Sequence, residues 1–298
     1  GGLTQLDVSG LDTSSVTDMN NMFAGCENLT QLNVSGFDTR NVIDMTSMFS
    51  SCENLKELDL SDFATWNVAS MALMFSSCKS LTELDLKHFN TSNVIYMAGM
   101  FYTCENLVEL DLSSFDTSKV TSMGQSIWGA MVGMFTGCKK LERLDLSSFD
   151  TGNVKTMDAM FDGCESLKEL DLSSFCMNLS MYTSGQPCCM FFLRNCNSLE
   201  KLYTPYWRNA AVPLPKEKDS DVWRGVIDGE EQELTEMPKG VSGSVLLVKN
   251  KTQVQVEERI MAKKVRTLYD CGEALSLDDL SVTLYEAEGS IRTLQTTE

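Results

Sequence analysis

Carboxylates at a fixed interval are the residues of this sequence with the clearest chemical potential. Asp7, Asp59, Asp85, Asp111, Asp145 and Asp171, with Asn33 among them, recur every 26 residues or at that interval plus an insertion. Two positions earlier run Gln5, Gln31, Glu57, Glu83, Glu109, Arg143 and Glu169. Two acids can cleave a glycosidic bond, but one must sit in a cleft where burial keeps it protonated. Carboxylates can also hold calcium, yet the D-x-[DN]-x-[DN]-G loop is missing, and ligands spread over a flat face do not enclose an ion. The pattern therefore points to displayed negative charge, not to catalysis or a metal site.

The other reactive side chains point the same way. His88, the single histidine, lies in "DLKHFNTS", where Ser and Asp surround it because they repeat everywhere, so it is expected in no catalytic triad. Cys26, Cys52, Cys78, Cys104, Cys138, Cys164 and Cys196 share one slot of the repeat and read as buried thiols serving as small apolar groups. Cys176, Cys188, Cys189 and Cys271 fall outside it, and a disulfide from Cys176 to one of the adjacent pair is one pairing open to the sequence. The phosphate-loop, dinucleotide and H-E-x-x-H motifs are all missing. The chain is read as no enzyme, with no catalytic residue, cofactor or metal site expected.

Whatever these residues do, the repeat positions them. Units start at Leu3, Leu29, Leu55, Leu81, Leu107, Leu141, Leu167 and Leu199, nearly intact in "LERLDLSSFDTGNVKTMDAMFDGCESL". The opening L-x-x-L-x-L reads as a short strand with leucines inward, and stacked units would set such strands side by side roughly 4.8 Å apart. The second half, V-x-x-M-x-x-M-F-x-x-C, spaces apolar residues three or four apart, which fits a helical turn or short helix. Its methionines, Met45, Met48, Met71 and Met74 among them, are expected as core filler, not as a soft-metal site. Between the halves, F-D-T-S places Asp12, Asp38, Asp116 and Asp150 before Thr13, Thr39, Thr117 and Thr151, residues able to hold a bend and cap the next turn.

The expected fold is thus an α/β solenoid: a leucine-rich repeat with a parallel sheet on one face and short helices or helical turns on the other, followed by a small β-rich C-terminal region. Residues 1–204 form the repeat, with insertions near 124–133 and 176–193. Residues 205–248 form a β-rich cap in which Tyr206, Trp207, Val212 and Leu214 cover the end of the stack. Residues 249–298 form a small β region, with a hairpin in "LSVTLYEAEGSIRTL". The candidate partner-binding residues are Glu57, Asp59, Glu83, Asp85, Glu109 and Asp111 on the strand face, and Trp128 in the first insertion. Like charges stacked at strand spacing repel, so a cation or basic partner would relieve them.

Bulk charge narrows the partners. Twenty-four Lys and Arg against 42 Asp and Glu give a net charge of -18 over 298 residues, which disfavours nucleic acid and anionic membranes. With no run of eighteen apolar residues, no direct membrane insertion is expected. The first repeat leucine is Leu3 and no signal-peptide pattern precedes it, so a piece of a longer protein is expected. Sequons begin at Asn28, Asn33, Asn90 and Asn178 and matter only in a glycosylating secretory system.

The D-T-S-x-V-x-x-M-x-x-M-F-x-x-C half over roughly residues 1–204 resembles the BspA-like leucine-rich repeats of bacterial surface proteins of Firmicutes and mycoplasmas. The segment around Trp223 is similar to the strand-rich tail of such proteins, and "VRTLYDCGEALSLDDLSVTLYEAEGSIRTL" to the first strands of a bacterial immunoglobulin-like domain. The resemblance implies an extracellular or cell-surface protein that binds a protein or glycan ligand on a host or bacterial surface. The alternative is a non-catalytic structural spacer.

Overall fold

The computed structural model describes residues 2–127, 130–177, 188–208, 211–227, 229–239, 243–250, 281–285 and 291–295. Among them there is no helix. The strands are short and lie in several small sheets with no closure into a barrel. This overturns the expected α/β leucine-rich-repeat solenoid.

The physical reason is visible in the methionine half of each unit. Met22 N–H donates to Met19 O and Cys26 N–H to Phe23 O, closing two successive tight turns. Each turn carries positive φ at its third residue, Asn21 (56°) and Gly25 (72°), as a type II turn requires. The intervening N–H groups leave the unit altogether: those of Met19, Asn21, Phe23 and Gly25 donate to the carbonyls of Asp44, Thr46, Met48 and Ser50 in the next unit. The same alternation recurs at Met45, Ser47, Phe49 and Ser51, and again at Met71, Leu73, Phe75 and Ser77. A three-residue apolar spacing arises equally from helical turns and from consecutive three-residue turns. Here inter-unit hydrogen bonding satisfies the backbone donors that an α-helix would have kept to itself.

On the opposite side, β1 (Gln5–Asp7) pairs in parallel with β2 (Gln31–Asn33), β3 (Glu109–Asp111) with β6 (Arg143–Asp145), and β7 (Glu169–Asp171) with β9 (Lys201–Tyr203). The register places equivalent repeat positions opposite one another, Gln5 with Gln31, Glu109 with Arg143 and Glu169 with Lys201. At this outward column every paired set is thus neutral or oppositely charged. Residues 57–59 and 83–85, whose outward side chains are all carboxylates, are in no strand. Like charge alone does not decide the pairing, since Asp111 lies directly opposite Asp145 within the β3–β6 pair.

The interior is a set of columns running from unit to unit. The rings of Phe23, Phe49, Phe75, Phe101, Phe135 and Phe161 stack with centroids 5.6–5.8 Å apart. The cysteine column is buried from Cys52 onward, and each thiol donates to a phenylalanine carbonyl one unit back: Cys52 to Phe23 O, Cys78 to Phe49 O, Cys104 to Phe75 O. Threonines bind the bends together reciprocally. Thr39 Oγ1 donates to Ala64 O (3.0 Å) and accepts from Ala64 N (2.7 Å), and Thr65 does the same with Asn90. The threonine bridges units, whereas the sequence suggested a local cap. The neighbouring Asp keeps the local role, with Asp12 Oδ1 accepting from Ser14 N and Asp116 Oδ1 from Ser118 N.

The first insertion is an antiparallel hairpin of β4 (Gly124–Ile127) and β5 (Ala130–Gly133). Its base is pressed onto the next unit: a Cβ at Gly124 would lie 2.1 Å from Asp158 O, and one at Gly133 2.3 Å from Ala159 O. Beyond the second insertion, β8 (Cys176–Met177) pairs with β10 (Trp207–Arg208). Cys176 is disulfide-bonded, but to neither Cys188 nor Cys189, whose sulfurs remain thiols.

The C-terminal side of the stack is continued by antiparallel strands. β13 (Leu246–Lys249) pairs with β9, then β11 (Trp223–Ile227) with β13 and β12 (Glu230–Leu234) with β11. Trp223 is fully buried and donates Nε1 to Pro215 O, and Val212, Leu214, Met237 and Leu247 close the core beside it. Of the residues expected to form this cover, Val212 and Leu214 are buried, while Tyr206 is half-buried. In the region 249–298, β14 (Ser281–Tyr285) and β15 (Ile291–Gln295) form an antiparallel pair.

Candidate functional site

Glu57, Asp59, Glu83, Asp85 and Glu109 are exposed and Asp111 is half-buried, all on the strand-bearing side. The aspartates are fixed by their own turns. Asp59 Oδ1 accepts from Ser61 N (2.9 Å), Asp85 Oδ1 from Lys87 N (3.1 Å), and Asp111 Oδ1 from both Ser113 N (3.1 Å) and Ser113 Oγ (2.7 Å). The bonds to Asp59 and Asp111 favour their ionised forms. The backbone N–H of Ser61, chiefly, holds Asp59 below the ordinary carboxylate range, and the Ser113 hydroxyl does the same for Asp111. Glu109 is lowered by its hydrogen bond from the Arg143 guanidinium. Lys87 reaches Asp111 from the preceding unit (3.5 Å).

A glycosidase needs one acid pushed up and its partner left down. Asp59, Glu109 and Asp111 are all pushed down, in solvent, so they do not divide the work in that way. Among the described residues no cluster of three or more His, Cys, Asp or Glu could hold a metal ion. His88 places Nε2 2.8 Å from Leu60 O and its ring edge-on to Phe89. Ser148 and Ser174, in the equivalent slot of later units, donate to Leu112 O and Leu146 O, so His88 replaces a serine in a bond between units. Trp128 lies outside the described residues.

Sequence reasoning missed a column of asparagine amides on another side of the stack. Asn41 Nδ2 donates to Ser14 O, Asn67 Nδ2 to Arg40 O, Asn93 Nδ2 to Trp66 O and Asn153 Nδ2 to Ser118 O, with distances of 2.6–2.8 Å. The Asn that recurs before Val42, Val68, Val94 and Val154 was the available signal. Beside this column Trp66, Ile43 and Tyr96 are exposed.

Whole repeat units match a family model described as Mycoplasma protein of unknown function, DUF285, over residues 3–87, 56–131 and 80–186. These matches together span more than half of the chain. The chain belongs to the DUF285 family. No curated protein and no solved structure matched it. The BspA-like leucine-rich-repeat resemblance is corrected accordingly: the family matched is DUF285, and the DUF285 units described here are built from turns and short strands without helices.

Proposed function

We propose that this chain is a non-enzymatic interaction module, acting outside the cell or at its surface, that binds a basic patch of a protein partner through the acidic face from Glu57 to Asp111. The observation that carries the proposal is the preorganised row itself. Each aspartate spends Oδ1 on its turn, which fixes the carboxylate in place; at Asp59 and Asp85 this leaves Oδ2 to a Lys or Arg of a partner, while Lys87 already reaches Oδ2 of Asp111. A repeated row of fixed charges steers a complementary surface and sets its register more than it supplies raw affinity.

The test is binding of the folded chain to immobilised host matrix proteins, mucin glycans and bacterial surface extracts at low and at physiological salt. A salt-sensitive, saturable partner lost on Glu83→Lys with Asp85→Lys supports the proposal. A partner untouched by that double reversal and lost on Trp128→Ala moves the site to the insertion. The alternative, a structural spacer, draws on the same turn bonds, since carboxylates that close their own turns have a structural use without any partner. Under that reading neither substitution changes any interaction.

A further inference from the structure

A second surface differs from the acidic face in chemistry. On the asparagine side of the first units lies an open depression of about 500 Å³ lined by Ser15, Thr17, Asn41, Ile43 and Asn67. In a chain of net charge -18 it is lined by no charged residue.

The polar groups there are held in place by the stack. Asn41 Nδ2 is tied to Ser14 O at 2.8 Å and Asn67 Nδ2 to Arg40 O at 2.7 Å, which turns each amide so that Oδ1 faces away from the bond as an acceptor. The equivalent Asn93 shows such an oxygen in use, accepting from Lys119 Nζ at 2.7 Å. Thr17 and Ile43 are held side by side by the bond from Ile43 N to Thr17 O. Ser15 and Thr17 add hydroxyls that donate and accept. Ile43, in the lining, is 53% exposed, and Trp66, next to Asn67 in the chain, 45%; Arg40, the residue before Asn41, has its guanidinium tied to Asp38.

Fixed acceptors and hydroxyls in an uncharged lining, with one exposed tryptophan next to Asn67, match a ligand that is neutral, rich in hydroxyl donors and apolar on its ring faces. We propose that this depression is a binding site for a neutral saccharide, with Asn41 and Asn67 accepting from its hydroxyls and Trp66 packing on a sugar ring. Basic partners are matched by the acidic face and acidic ones are repelled by the net charge, which leaves this uncharged patch to an uncharged ligand. The inference rests on the reading of the chain as an interaction module but not on the acidic face.

The test is titration of the full chain, by calorimetry and tryptophan fluorescence, with neutral oligomers of glucose, galactose, mannose and N-acetylglucosamine. The expected result is saturable binding of at least one oligomer that changes little with salt. Trp66→Ala and Thr17→Val should each weaken it about tenfold or more with the thermal melt unchanged, while Glu83→Lys leaves it intact. Both replaced side chains are exposed, so neither variant removes core. The proposal is overturned if none of these oligomers binds the folded chain, or if binding survives both substitutions. It is equally overturned if binding is salt-sensitive and lost on Glu83→Lys, a result that would assign the ligand to the acidic face and support the function proposed above.

Discussion

Replacing Ser51 by glycine separates turns from helices by the sign of its effect. Ser51 has φ 60° and occupies the slot that holds Gly25, Gly137 and Gly163 in other units. A non-glycine L-residue in this left-handed region costs about 1–2 kcal/mol. Glycine loses that strain but gives up roughly 0.5–1 kcal/mol more chain entropy on folding. No side-chain bond of Ser51 has to be replaced, since its link to the next unit is the backbone bond from Ser51 N to Ser76 O. Ser51→Gly should therefore stabilise the protein by roughly 0.5–1 kcal/mol. In a helix the same change would cost about 0.5 kcal/mol. The reciprocal substitution is Gly163→Ala at φ 76°, where the new Cβ would meet Gly137 Cα at 3.4 Å, an ordinary contact. The cost there is conformational, at least about 1 kcal/mol, whereas in a helix alanine would gain a similar amount. Urea unfolding followed by circular dichroism reads both as midpoint shifts at unchanged slope. A lower midpoint for Ser51→Gly together with a higher one for Gly163→Ala would refute the turn assignment.

Other consequences are open to equally direct measurement. Thr65→Val keeps the shape but strips partners from both the N–H and the C=O of Asn90, and should cost roughly 2–4 kcal/mol in the same unfolding assay, against little for the half-buried Ser118→Ala. Burial pushes the thiols of Cys52, Cys138 and Cys196 up to about 12 from an ordinary value near 9. A raised folded-state pKa favours the protonated thiol in the fold, so this contribution is fully present below pH 9 and is lost as pH climbs toward 12. Maleimide at pH 8 should accordingly label the half-exposed Cys26 and spare the buried column until the protein is unfolded. Hydrogen bonds from Asn250 Nδ2 and from the N–H groups of Glu217 and Lys218 depress Asp221 to about 2; its contribution holds above about pH 4 and fades as pH falls toward 2, readable as a change in Trp223 emission. Glu83→Lys, set between Glu57 and Glu109, should raise the unfolding midpoint by relieving like-charge contacts, even as it abolishes any basic partner's binding.

The sequence by itself determined how the units repeat and which residues of the inner units face inward, although Leu3 and Met22 of the first unit, placed inward by the same period, are exposed. A fixed period with apolar residues at fixed slots leaves little freedom, and the burial of Leu55, Met71, Phe101 and Cys104 follows from period alone. It also placed the acidic residues on one outward row, because alternation along L-x-x-L-D-L assigns Glu57, Asp59, Glu83 and Asp85 to the side away from the leucines. What it did not determine is how the backbone of V-x-x-M-x-x-M-F-x-x-C satisfies its donors. Helical turns and consecutive tight turns both space side chains by three, and only the carbonyls of a neighbouring unit decide between them, as Asp44 O, Thr46 O and Met48 O do for Met19, Asn21 and Phe23. The same limit hid the roles of His88, Thr39 and Asn67. Each bonds to a residue about one repeat away, His88 to Leu60, Thr39 to Ala64 and Asn67 to Arg40, and such contacts exist only once the units are stacked. Local spacing chose the faces, and tertiary stacking chose the backbone conformation, because hydrogen-bond partners supplied from outside a segment outweigh the segment's own preference.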